Sequence, residues 1–204
     1  MDLAGTYLVN TSDLDEAATI LGSEFGTMRI SRVNPQAPPW IRIWRTRVGP
    51  TTLDDCDIIS DVRYEMDAPA GILVCRVRAG AVEFTAGESC RTFRRGDMVA
   101  VVGDGTAMTA VMREARCDLI TVAPWLLTEM AAMDDESRCG TALNTFSDPI
   151  SPSAQQQAAD VIDHIRTFIA NNPLAAHDPL VAGSAARYLV ASILTAFPLE
   201  ALAS

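Results

Sequence analysis

The chain has no lysine, and only two histidines among its 204 residues. A phosphate-cradling loop that closes on lysine is therefore excluded. Both histidines, His164 and His177, lie far down the chain. No histidine precedes Asp163, so the first three quarters of the sequence cannot supply the base of a Ser-His-Asp triad or a histidine-rich metal site. Cysteine is sparse and scattered. Cys56, Cys75, Cys90, Cys117 and Cys139 form no C-x-x-C pair and read as reduced, mostly buried thiols. Apolar runs fall short of a membrane span, and the N-terminal MDLAGTYLVN lacks the basic and apolar regions of a secretion signal. A cytoplasmic home, with no membrane partner, is expected.

Negative charge is abundant. The formal net charge is −10, and such a surface repels phosphate backbones, so no nucleic acid is expected to bind through this chain. Adjacent carboxylates at Asp54-Asp55 and Asp134-Asp135 read as solvated charge rather than as an acid–base pair. No catalytic set, metal site or cofactor motif emerges.

The centre of the chain is Gly87 to Gly105, GESCRTFRRGDMVAVVGDG. It reads as strand, a tight turn at Arg95-Gly96-Asp97, then the apolar strand Met98 to Val102. Glycine supplies the backbone angles of such a turn, and aspartate holds it through its own backbone. Around it, residues 27 to 123 read as β throughout: Met28–Val33, Trp40–Val48, Cys56–Met66, Gly71–Arg78, Ala81–Thr85, Thr106–Arg113 and Cys117–Val122, with turns at Gly80 and at Glu114-Ala115. Cys56, Ile58, Val62 and Tyr64 alternate with Asp57, Asp61, Arg63 and Glu65. Many short strands with regular turn signals predict a sandwich or a small barrel.

Helices flank this region. Ser12 or Asp13 caps a first helix with Leu14, Ala17, Ala18 and Leu21 on one stripe. It is either packed on the barrel exterior or laid across a pocket mouth. Later helices are predicted from Pro124 through Met133, from Ser151 to about Asn171, and from Asp178 through Ala196, with a loop over 134–150. The last is apolar nearly all round and needs cover on two sides. The sheet or a sister helix covers one; a second protomer, or a simple fold-back on the sheet, covers the other. The residues proposed for a dimer interface are Ile162, Ile165, Phe168, Tyr188, Leu189 and Ile193.

The Gly-Asp turn feeding a buried strand resembles the second conserved segment of cupin barrels. Metal-binding cupins place a histidine shortly after that strand; here the region holds Thr106, Ala107 and Met108, so the resemblance implies a barrel without its metal. The whole order resembles the N-terminal effector-binding and dimerisation region of AraC-family transcription regulators. The capped segment Thr11 to Ala17, Ile43-Trp44-Arg45-Thr46-Arg47, Val62-Arg63-Tyr64, the Arg95-Gly96-Asp97 turn and the closing Leu194-Thr195-Ala196-Phe197-Pro198 carry it.

The resemblance implies an α+β fold: a cupin-like, jelly-roll type β-barrel over 1–123 with an N-terminal helix, then a helical dimerisation layer over 124–204. It implies a small-molecule effector, a homodimer, and DNA contacts made by a helix-turn-helix domain that these residues do not contain; the sequence is then either a piece of a longer regulator or a lone sensor. The alternative is a metal-free cupin-type enzyme, an isomerase or lyase. Ligand-binding candidates are the polar and aromatic side chains on barrel strands, chiefly Arg42, Trp44, Tyr64 and Arg76, with Arg63 and Arg78 beside them. A flat aromatic wall and an arginine forked onto a carboxylate suit a small effector. Equally, the arginines can form cross-strand surface pairs with Asp57, Asp61 and Glu65, and the aromatics can be plain core.

Overall fold

The computed structural model describes residues 5–67, 69, 71–103, 106–131 and 146–197. Its strands are β1 (Gly5–Thr11), β2 (Met28–Arg32), β3 (Trp40–Val48), β4 (Thr51–Ile59), β5 (Asp61–Met66), β6 (Ile72–Ala86), β7 (Ser89–Arg94), β8 (Met98–Val102), β9 (Met108–Val122) and β10 (Phe146–Ser147). Its helices are α1 (Leu14–Phe25), α2 (Pro124–Ala131), α3 (Pro152–His164), which continues as a π-helical stretch over Ile165–Ala170, α4 (Pro173–His177) and α5 (Pro179–Ala196). The fold is α+β, with every strand pairing antiparallel.

Two long strands organise the sheet. β6 and β9 each run 15 residues and pair along their length. Their halves belong to different walls. The second half of β9 pairs with β4 and the first half of β6 with β8, which builds the row β1-β3-β4-β9-β6-β8-β10. The other halves pair with β5 and β7, and β5 carries β2. The two walls enclose one apolar interior, filled by Val9, Ile41, Ile43, Val62, Val82, Phe84, Val99, Val101 and their neighbours. Phe84 stacks against Phe146 at 5.9 Å and lies 6.1 Å from Phe93.

The bend between the walls has a visible cause. From Val77 to Ala79 the register slips by one residue on β6, and from Ala79 to Ala81 it slips by one on β9. The slips cancel, so Ala81–Ala86 resume the register of Ile72–Val77. Each bulge adds local twist without ending the ladder. Gly80 sits at the slip with φ +68, and Glu114 opposite has φ +43. The sequence reading takes both places as turns between separate strands; they are bulges inside continuous ones. Conversely, Cys56–Met66 is read as one strand but breaks at Ser60, whose φ is +74, into β4 and β5.

A second core lies outside the β4-β9-β6-β8 wall. Leu53, Ile72, Val74, Met98, Ala100, Val102, Ile120 and Val122 face Leu126 and Leu127 of α2, Ala158 and Ile162 of α3, and Ala186, Leu189, Val190 and Ile193 of α5. This wall is therefore buried on both faces, which is why β8 is an unbroken apolar run. By length and composition α5 could cross a membrane, with mean hydropathy 1.3; one of its faces, with Ala186, Leu189, Val190 and Ile193, packs on this core. β10 pairs with β8, so the barrel takes a strand from beyond residue 123, inside the stretch read as loop. That loop's residues 134–145, and Met133 at the expected end of α2, lie outside the described residues.

Gly80 offers a direct test of the bend. A Cβ there would stand 2.4 Å from the carbonyl oxygens of both Arg113 and Glu114, whereas one at Gly96 (φ +97) meets nothing within 4 Å. Gly80→Ala is expected to lower stability by about 3 kcal/mol or more through strain plus overlap, and Gly96→Ala by about 1 kcal/mol through strain alone. Urea unfolding of both variants checks the ordering.

Candidate functional site

The barrel interior is closed by α1. The side chain of Asp13 caps this helix, accepting from the backbone N–H groups of Asp15 (2.9 Å) and Glu16 (3.2 Å). Ala17 and Leu21 then turn inward and are buried. Near the end of the helix Glu24 bonds Arg45 of β3, whose guanidinium also grips Asp54 through Nε (2.7 Å) and Nη2 (2.6 Å). The same guanidinium lies 5.2 Å from the ring centre of Phe25. Arg45 is 6% and Asp54 1% exposed, and a buried two-pronged pair of this kind is directional as well as charged. It fixes the last turn of α1 over the barrel.

Beneath α1 lies a cavity of about 50 Å³. Leu21 and Phe25 roof it. Met28, Met66 and Met112 form flexible parts of its wall, with Ile43, Cys56, Ile58, Tyr64, Leu73, Phe84, Ala110 and Leu119 around them, and the accessible lining is wholly apolar. No charged side chain lines it. The Tyr64 hydroxyl is buried with no hydrogen-bond partner among the described residues. Burial pushes its pKa well above the ordinary value of 10, so it stays protonated and can both donate and accept. An unpaired buried hydroxyl is costly, and the usual remedy is a partner.

The four ligand candidates from the sequence do not converge. Tyr64 lines the cavity. Arg42 is exposed and paired with Asp57 directly across the β3–β4 ladder. Trp44 is half-buried, with its ring edge-on to Tyr7 at 4.7 Å. Arg76 projects to the opposite side of the sheet, where it holds Asp163 of α3 at 2.6 and 3.0 Å. Arg63 is exposed, and Arg78 reaches Asp55 and Asp118. The sequence reading takes Cys56 as a buried thiol on the alternating stripe that carries Tyr64, but singles out neither it nor the methionines as ligand candidates.

Arg76 and Arg78 belong to a second feature, on the outer face of the same wall. Asp118 of β9, 1% exposed, lies 2.8 Å from Arg78 Nε, 2.7 Å from Arg166 Nη2 and 3.7 Å from Arg76 Nη1. Neither of its oxygens has an aligned donor, so charge attraction rather than hydrogen-bond geometry holds the group. Arg166 comes from the π-helical stretch, so the barrel wall and the helical layer share one buried carboxylate.

Of the six interface candidates, Ile162, Ile165, Leu189 and Ile193 are buried in the chain's own helix–sheet core. Phe168 and Tyr188 are 62% and 54% exposed. Beside them Leu180 and Val181 are exposed, and a groove of about 510 Å³ runs between His164, Ile169, Leu180, Ser184 and Tyr188. Among the described residues no group of three or more histidine, cysteine, aspartate or glutamate side chains is placed to hold a metal ion.

Compared by sequence, the chain matches no protein-family model and no curated protein. Compared by fold, it superimposes on the AraC-like transcriptional activator CuxR with a TM-score of 0.65 at 12% identity, covering 97% of this chain and 72% of that one. Looser, partial overlaps include a cupin-like protein from Thermotoga maritima (TM-score 0.33, 13% identity, 45% of this chain and 76% of that one). A Cupin 2 conserved barrel domain protein from Salinispora arenicola overlaps similarly (TM-score 0.32, 16% identity, 52% and 84%). At 12% identity the likeness to the activator is a likeness of fold, and it spans barrel and helices together.

Tyr64 can be tested in the free protein. Tyr64→Phe removes an unpaired buried group while keeping the ring, so it is expected to stabilise the ligand-free chain by about 1 kcal/mol. In a chain of this size that raises the melting temperature by about 2–4 °C. A lower melting temperature would mean that the hydroxyl already has a partner.

Proposed function

We propose that this chain is the effector-binding and dimerisation region of an AraC-type transcription regulator, and that its effector is a small, uncharged, largely apolar molecule held in the barrel under α1. One observation carries the reading: a fold that matches nearly all of this chain to 72% of an AraC-like activator encloses an apolar cavity beside Tyr64, whose buried hydroxyl lacks a partner among the described residues. The chemistry of the lining supports the effector class. A carboxylate or phosphate would be stranded there, because the arginines lie elsewhere; a compound with one donor or acceptor would satisfy Tyr64 once the enlarged cavity uncovers its hydroxyl, and bury the rest.

Size sets the mechanism. A cavity of about 50 Å³ admits only a few water-sized groups at about 15 Å³ each. A larger effector requires α1 to lift and the methionines to repack, which their unbranched side chains allow. Binding then shifts a population from closed to open α1, and only an effector that prefers one arrangement can act as a signal. DNA contacts belong, in this reading, to a separate basic domain.

The proposed dimer uses the face left open by the helical layer: Phe168, Leu180, Val181 and Tyr188. Their clustering on one surface supports this, since contiguous exposed apolar patches mark contact sites.

Two experiments test the proposal. In a thermal-shift screen, small uncharged ketones, phenols and indoles are expected to raise the melting temperature, and small carboxylates and sugar phosphates are not. The hits are expected to weaken about tenfold in Tyr64→Phe, the loss of one hydrogen bond. Hits confined to carboxylates, or insensitive to Tyr64, would refute the assignment. For the interface, light scattering is expected to give a dimer for the native chain and a monomer for Tyr188→Asp or Phe168→Asp. A native monomer, or dimers that survive both changes, would refute that surface.

A further inference from the structure

The charged network that holds the end of α1 over the barrel has one fixed joint and one loose one. Arg45 on β3 is 6% exposed, and Asp54, directly opposite on β4, is 1% exposed. Asp54 accepts from Nε at 2.7 Å and from Nη2 at 2.6 Å. That fork alone neutralises the guanidinium, and breaking it would strand a buried charge on each side. Glu24 is the surplus carboxylate. It accepts from the remaining nitrogen, Nη1, but its side chain is 32% exposed and the exposed Arg47 lies 3.7 Å away. When Glu24 lets go, Arg45 keeps Asp54, and Glu24 keeps water and Arg47. The network therefore parts at Glu24 and not at Asp54.

The two ends of the helix are tied differently. Thr11, the last residue of β1, donates to Glu16 at 2.6 Å and secures the first turn locally. Glu24 secures the last turn to a strand far away in sequence. Between them Ala17 and Leu21 make apolar contact with the barrel core, which is not directional. Phe25 follows Glu24 directly. It roofs the cavity, and its ring centre lies 5.2 Å from the Arg45 guanidinium. The carboxylate that fastens the last turn thus stands beside the ring that closes the pocket.

We infer that Glu24 is a positioning residue that sets the size limit of the pocket. Its bond to Arg45 is a releasable latch, and a guest too large for the closed cavity of about 50 Å³ binds only by breaking it. The size-selecting role rests on the guest site proposed under α1; the latch rests on the Arg45 geometry alone. For a guest that needs the lifted helix, the apparent dissociation constant is the intrinsic one divided by the lifted fraction. Loss of one charge-assisted hydrogen bond raises a small lifted fraction about tenfold. A guest that fits the closed cavity is indifferent to the latch.

The test compares the native full chain with Glu24→Ala, which removes the carboxylate while favouring the helix itself. Hydrogen–deuterium exchange reads α1 without any guest. Residues 21–25 are expected to exchange about fivefold faster or more, with β6 and β9 unchanged. The uncharged dye N-phenyl-1-naphthylamine, too bulky for the closed cavity, is expected to bind Glu24→Ala about tenfold more tightly. Xenon, which enters small apolar voids, is expected to keep its affinity within about twofold. Arg47→Ala removes only the loose exposed pair and is expected to change each readout less than about twofold. Exchange in residues 21–25 that stays at the native rate, or that accelerates equally in every strand, would overturn the latch. So would dye bound equally well by both chains. Dye bound by neither chain, with residues 21–25 still selectively loosened, would refute the guest site under α1 and leave the latch standing.

Discussion

Burial of the β4-β9-β6-β8 wall on both faces is the constraint that the rest of the molecule obeys. A strand sends alternate side chains to opposite sides, so each strand of this wall must satisfy two cores at once. On β9, Cys117 faces the barrel while Ile120 and Val122 face the helices. On β8, Val99 and Val101 go inward while Met98, Ala100 and Val102 go outward. A one-residue slip would exchange the two sets and put the wrong volumes in both cores. The paired, self-cancelling bulges around Gly80 respect this limit: they bend the wall and return the register unchanged.

Asp118 is the exception on the outer face of that wall, and it explains the arginines. An isolated carboxylate at 1% exposure would be several kcal/mol uphill, and removal of its partners would leave that penalty uncovered. Arg78 and Arg166, with Arg76 farther off, surround it. Their placement follows from the need to neutralise one charge, and it withdraws them from the barrel. The cavity is left to neutral groups, which is what narrows the effector class proposed for it.

Much of this was legible in the sequence, and the failures share a cause. Alternation alone places Cys56, Ile58, Val62 and Tyr64 on one stripe, and all four face the interior; the span of α5 can be read just as directly, and the cap of α1 is narrowed to Ser12 or Asp13, of which the structure uses Asp13. What the sequence withholds is pairing. Gly80 and Glu114 look like turns because a bulge and a turn use the same backbone angles, and only the facing strand tells them apart. Arg76 looks available for a ligand because its inward neighbour Cys75 and its outward partner Asp163 cannot be distinguished along one strand. Ile162, Ile165, Leu189 and Ile193 announce an apolar face but not what covers it; here it is the sheet. β1 carries Tyr7 and Leu8 before the first cap and shows no clean alternation, and β10 is two residues long. Cys56, Cys75 and Cys117, remote in sequence, share one core only through the β4-β9-β6 order.

The adjacency of Cys117 and Asp118 joins the two faces mechanically. The peptide unit between them is rigid and planar, so a displacement of β9 that moves one side chain inward or outward moves the other with it. Inward lies the barrel core, where the neighbouring Leu119 lines the cavity; outward lies the carboxylate beside Arg166. Arg166 sits within a π-helical stretch, a departure from regular helix that often accompanies functional sites, and Phe168 on the same stretch projects from the surface. The path from the proposed guest to an exposed aromatic is therefore short: cavity, β9, Asp118, Arg166 and the helical stretch that also carries Phe168. A chain of contacts is not by itself a signal. It becomes one only to the extent that a guest binds two arrangements of β9 and α1 unequally, and the small closed cavity makes that inequality unavoidable for any guest too large to fit while α1 is down.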